Sequence, residues 1–260
     1  MNKIIDAIDE LRLKNKSYVT NSFFSYEQLS QMLERQPVYQ KDGLIVIAKN
    51  TPYCTYLYWF AADCRSLRNL HCLLDKKQSV PVITELIGNT SFCSEISSQL
   101  LGFNEYNKLT RMLYKASGDN RFFNDLTPTI SVAGQSDLQS VRGFLYDSFD
   151  VLTSHLPSDD ELLKMLSNGE VYTVEGNPEK GTAIFNRNSP HMWYLYQIAV
   201  GKQFRGRGYA RSLLQSKLIT LGKMDKMTLW AEDGNNRAQT LYCSAGFVTT
   251  DIHTVIYKGE

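Results

Sequence analysis

Arg205, Gly206, Arg207, Gly208, Tyr209, Ala210 and Arg211 combine the residue types and spacing that could hold a phosphate. Glycines at 206 and 208 let an anion approach the backbone where a Cβ would block it. If a helix starts directly after them, its first N–H groups have no intrahelical partner and carry the positive end of the helix dipole. Arg205, Arg207 and Arg211 add positive charge around that point. The chemistry implied is the grip of a phosphate or diphosphate. The order fits neither G-x-G-x-x-G nor G-x-x-x-x-G-K-S/T, which disfavours a dinucleotide or a nucleoside triphosphate.

The flanks supply the elements this turn needs. Met192 to Val200 reads MWYLYQIAV, aromatic and β-branched as strands are. Leu213, Leu214, Leu218 and Leu221 recur at helical spacing. Upstream, the sequence predicts a strand at Ile130–Val132, a helix from about Ser136 to Phe149, and a helix capped by Ser158 carrying Leu162, Leu163, Met165 and Leu166. Val171–Val174 and Gly181–Phe185 pair around a turn at Gly176-Asn177-Pro178. A strand at Met227–Ala231, a helix near Asn236–Ser244 and a strand near Thr249–Tyr257 close the chain.

In this setting the chain resembles the GNAT superfamily of acyl-CoA-dependent N-acetyltransferases. Arg205, Gly208 and Ala210 match its Gln/Arg-x-x-Gly-x-Gly/Ala signature in register. Asn235, Ala238, Leu241 and Tyr242, followed by Gly246-Phe247, resemble its second motif. The element order β-α-α-β-β-β-α-β-α-β is also the family's, and the resemblance covers about Thr129 to Glu260. It implies that Ile198, Ala199 and Val200 meet the pantetheine arm of acetyl-CoA, or another acyl-CoA, through their main chain. It further implies that residues Arg205 to Arg211 hold the diphosphate. Asn235 would cap its helix and touch the cofactor, and Tyr242 would be the general acid for the departing thiolate. The family often places a glutamate on the strand before the phosphate turn. Tyr194, Tyr196 and Gln197 stand there instead, so Glu232, Asp233, His191 or ordered water remain as bases.

Composition bounds the alternatives. The 260 residues suit two domains, and 43% hydrophobic content is enough for packed cores. A net charge of +1 gives no electrostatic case for nucleic acid or an acidic membrane surface as partner. Neither a bilayer-length apolar run nor a signal peptide is evident, so a cytoplasmic protein is expected. Cys54, Cys64, Cys72, Cys93 and Cys243 form no C-x-x-C pair and read as reduced, buried thiols; with four scattered histidines, no metal site is expected.

The amino-terminal half repeats the plan in altered form. Tyr56-Leu57-Tyr58-Trp59-Phe60-Ala61 mirrors Tyr194 to Ala199, Ser25 to Leu33 parallels Ser158 to Leu166, and Leu101-Gly102-Phe103 echoes Ala245-Gly246-Phe247. Where the second half has its glycine turn, the first has Asp63-Cys64-Arg65-Ser66-Leu67-Arg68, whose side chains would block a diphosphate. The expected architecture is therefore α/β (α+β): two GNAT-like domains, 1–120 degenerate and 129–260 competent, each a mixed, mostly antiparallel sheet flanked by helices. Residues 118–129 form the polar boundary between them. The expected function is direct acyl transfer from CoA to a small-molecule or peptide amine in a ternary complex. A non-catalytic acyl-CoA-binding or regulatory module is the alternative.

Overall fold

Strand and helix boundaries follow local chemistry closely in the computed structural model, which describes residues 3–22, 24–73, 79–116 and 128–259. The first half contains α1 (Lys3–Lys14), β1 (Val19–Thr20), α2 (Tyr26–Arg35), β2 (Val38–Lys41), β3 (Leu44–Asn50), β4 (Thr55–Ala61), a 3-10 helix (Cys64–Leu73), β5 (Val82–Gly88), α3 (Thr90–Ser97) and β6 (Phe103–Lys115). The second contains β7 (Ile130–Val132), α4 (Leu138–Ser148), α5 (Asp159–Ser167), β8 (Val171–Val174), β9 (Asn177–Ser189), β10 (Met192–Ala199), α6 (Tyr209–Leu218), β11 (Lys226–Glu232), α7 (Asn236–Ser244) and β12 (Val248–Gly259).

The chain forms two compact units, but not by a cut between 120 and 129. One unit is Met1–Leu109 with Asp251–Glu260; the other is Thr110–Thr250. The second part of β6 thus belongs to the second unit, and most of β12 belongs to the first. Short-range sequence signals carry no trace of this division. The expected boundary segment itself falls largely on 117–127, outside the described residues.

In the first unit the sheet runs β2–β3–β4–β5–β12. β12 pairs antiparallel with β5 from His253↔Gly88 to Lys258↔Ile83. Trp59, Leu67, Leu70, Leu86 and Ile96 are fully buried in its core. In the second unit the sheet runs β6–β11–β10–β9–β8–β7. Met112 and Tyr114 of β6 share a core with Phe185, Leu213, Leu229, Tyr242 and Phe247. α6 turns Leu213, Leu214 and Leu218 inward as its spacing requires. Lys217 is buried beside them with its ammonium 3.4 Å from the Trp193 ring centroid. Burial pulls its pKa below the ordinary lysine value.

Several expected elements shift. A 3-10 turn (Gln135–Asp137) takes the start of the first helix, which begins at Leu138. The hairpin turn is Glu175-Gly176, both at positive φ (52° and 68°), so Asn177 and Pro178 already lie in β9. Both Ser25 and Ser158 close capping boxes, with Gln28 and Glu161 respectively. Cys54 and Cys93 are buried as expected, whereas Cys72 and Cys243 are exposed.

Candidate active site

The site grows from the way β10 leaves its neighbour. β10 pairs parallel with β11 at Met192↔Lys226, Trp193↔Met227 and Tyr194↔Thr228, and the ladder stops there. On its other edge β10 stays paired with β9 through Ala199↔Thr182, with a register shift between Leu195 and Gln197 that makes Tyr196 a bulge. A bulge bends and twists its strand. Among the described residues no strand pairs with β10 beyond Tyr194 on the β11 side. Ile198 and Ala199 therefore lie along an open backbone edge, both half-buried.

Two side chains hold the bend from the opposite direction. The buried Gln197 Nε2 donates to the Ser154 carbonyl at 2.7 Å, and the Tyr196 hydroxyl donates to the His155 carbonyl. The α4–α5 connection is thereby tied to β10 beside the opening. His155 itself adopts φ +44°, a left-handed conformation uncommon outside glycine.

β10 then feeds the glycine turn. Val200 follows the strand, and its carbonyl accepts from Arg205 Nε at 3.2 Å, so Arg205 braces the turn as well as charging it. Gly201 donates its N–H to the Glu179 carbonyl at 3.0 Å, and any Cβ there would run into that same oxygen. A short 3-10 turn (Lys202–Phe204) follows. Gly206 and Gly208 have φ +81° and +79°, and a Cβ at either would meet nothing within 4 Å. Their backbone conformation favours glycine, while the space above them is open.

α6 starts directly on Gly208, which supplies no side-chain cap. Its first intrahelical bond runs from Ser212 N–H to the Gly208 carbonyl, which leaves the amides of Tyr209, Ala210 and Arg211 ahead of the ladder. Arg205, Arg207 and Arg211 are all exposed. Arg207 lies 5.7 Å from the Phe204 ring centroid, and Tyr209 stacks at a tilt against the same ring at 6.5 Å. Lys180, on β9, is within electrostatic reach of Arg207 and Tyr209. Its hydrogen bond to Glu175 raises its pKa. Sequence reading missed Lys180, because only the β9–β10 register brings it to the turn.

The second expected motif sits on β11 and α7. Asn235 caps α7, its Oδ1 accepting from Ala238 N–H at 3.1 Å. Replacing it with alanine should cost about 1 kcal/mol of stability, read as a lower urea midpoint at unchanged slope. Tyr242 is buried, 5% exposed, with its ring 5.9 Å from Phe247. Ile198 and Tyr209 pack against the same apolar cluster. Burial raises the phenol's pKa, so it is protonated throughout the neutral range. Cys243 faces outward, away from it.

The proposed bases divide by position. Glu232 and Asp233 lie at the carboxyl end of β11, the same end at which β10 meets the glycine turn. Asp233 Oδ1 accepts from Thr110 Oγ1 at 2.6 Å. His191 lies before the opposite end of β10, where its Nδ1 meets Asp225 Oδ1 at 3.0 Å. That distance along the strand removes it from the site.

The part of the chain that holds this turn also resembles known proteins. Residues 167–249 match the family model of the acetyltransferase (GNAT) domain. A GCN5-related N-acetyltransferase from Sphaerobacter thermophilus is similar in structure, with TM-score 0.56 at 15% identity over 84% of this chain and 76% of that one. A putative GNAT-family acetyltransferase from Novosphingobium aromaticivorans DSM 12444 gives 0.51 at 17% identity, over 89% and 93%. A tandem GNAT protein from the clavulanic acid biosynthesis pathway gives 0.52 at 10%, over 84% and 78%. No curated protein matches the sequence. The family match thus lies within the second half, at residues 167–249, and the likeness to these solved structures is one of fold.

Proposed function

We propose that the protein is an acyl-CoA-dependent N-acyltransferase, acetyl-CoA being the simplest donor, that acts on a primary amine of a small molecule or peptide in the cytoplasm. The observation that carries this reading is the open β10 edge leading into a turn whose two left-handed glycines face unfilled space. Bound there, the thioester supplies an acyl group already activated for attack.

In this reading the amides of Gly206 to Arg211 and the guanidinium groups of Arg207 and Arg211 hold the diphosphate. The main chain of Ile198, Ala199 and Val200 aligns the pantetheine arm, and an amide near Ile198 faces the developing oxyanion. Asn235 acts mainly as a helix cap. Tyr242 donates a hydrogen bond to the departing sulfur. Its raised pKa makes full proton transfer to a thiolate of parent pKa about 8.5 uphill, so hydrogen-bond donation is its larger contribution. Glu232 or Asp233 takes the amine proton through water. The first unit is a degenerate copy of the second. Supporting this, both run through two helices, an antiparallel hairpin, a short parallel ladder, a helix and a final strand. Gly102 and Gly246 also take the same left-handed φ before those last strands.

Tyr242→Phe tests the catalytic part. It should lower kcat by roughly a hundredfold or more while leaving coenzyme A affinity unchanged. A panel of amines assayed for free CoA supplies the acceptor, and equal turnover in the variant would remove Tyr242 from the mechanism.

A further inference from the structure

The splay of the second unit has a counterpart in the first, and there the chain fills it. β4 pairs parallel with β5 at Thr55↔Val82, Tyr56↔Ile83 and Leu57↔Thr84, again over three residues, and then parts from it. β3 holds the other edge of β4 along its whole length. Into the edge that β5 vacates comes β1, antiparallel, with Val19↔Ala61 and Thr20↔Phe60.

The residue after β1 completes the insertion. Asn21, 6% exposed, uses its side-chain amide as a strand would use its backbone. Its Oδ1 accepts from Trp59 N–H at 2.8 Å, and its Nδ2 donates to the Leu57 carbonyl at 3.0 Å. The same Nδ2 approaches Thr84 Oγ1 at 3.3 Å, while the Thr20 hydroxyl donates to the Trp59 carbonyl at 2.6 Å. Three consecutive polar groups of the splayed strand are thus satisfied from within. The Ser22 hydroxyl is buried with no partner among the described residues, so the segment is held in spite of that cost.

The helix start after β4 is filled as well. Asp63 Oδ1 accepts from Ser66 N–H at 2.9 Å and from the Ser66 hydroxyl at 3.1 Å. That backbone hydrogen bond is the main reason its carboxyl titrates below the usual range. In the second unit, the α4–α5 connection meets β10 through the side chains of Tyr196 and Gln197, and among the described residues no strand takes the place of β1 beside Ile198 and Ala199.

The geometry points to a self-liganded first unit: Thr20 and Asn21 occupy the groove equivalent to a pantetheine arm, and Asp63 supplies the anion at the helix start. This deepens the reading given above, on which the equivalence to an acyl-CoA cleft rests. The consequence is one coenzyme A site per chain, in the second unit.

Two measurements on the full chain test it. Native mass spectrometry with coenzyme A should count one molecule per wild-type chain and none for Gly208→Glu. Two per chain, or one surviving in Gly208→Glu, would overturn the proposal. Amide hydrogen exchange, without coenzyme A, should find Trp59 N–H protected in the wild type. Asn21→Ala should speed its exchange about ten- to a hundredfold while transfer activity is kept. If that variant fails to fold, Thr20→Val should weaken the same protection. A Trp59 amide exchanging at loop rates in the wild type would sink the plug. A count of zero in the wild type would instead refute the acyl-CoA reading of the second unit, and the exchange result alone would then decide the plug.

Discussion

Gly208→Glu is expected to reduce coenzyme A affinity by at least about a hundredfold while leaving the protein folded. Two separate effects are combined in it. A non-glycine residue at φ +79° costs about 1–2 kcal/mol of backbone strain, enough to lower the melting temperature by a few degrees. The side chain meets no packed atom, because nothing lies within 4 Å of the Cβ position. A carboxylate then stands where a diphosphate should rest. Gly208→Ala separates the two, carrying the same strain without the charge. Calorimetric titration beside a thermal melt reads both, and wild-type affinity in Gly208→Glu would remove the turn from the binding site.

The second large effect concerns where the molecule tolerates cutting. A fragment 129–260, the half the sequence would suggest, should fail to fold. It lacks Met112 and Tyr114, which lie in the core of the second unit at 0% and 9% exposure. It also carries residues 251–260, whose pairing partner β5 is missing. Emptying two large core positions costs several kcal/mol, comparable with the whole stability of an ordinary domain. A fragment 110–250 keeps that core and should fold. Circular dichroism melts of the two fragments make the comparison. A cooperative transition in 129–260 would show that the β6 residues are dispensable.

What could be read in the sequence is what is decided within a few residues. Ser158 and Glu161 form their capping box inside one turn, and Val171–Val174 is β-branched or aromatic at every position, as strands are. The glycine turn was legible for the same reason, since Gly206 and Gly208 answer to local φ. Gly201 was not, because the atom that excludes a side chain belongs to Glu179 on the neighbouring strand. The Asn21 insertion was equally hidden. Nothing near Asn21 announces that its amide will meet Trp59 and Leu57. The absence of glycine after β4 and the negative charge of Asp63 there were visible, but not the hydrogen bonds that Asp63 accepts from Ser66.

The division of β6 and β12 between the two units also constrains how such a chain can change over generations. A deletion of residues 1–128 would strip the second unit of part of its interior, whereas one that ends at Leu109 would spare it, so the position of the cut decides whether that unit survives.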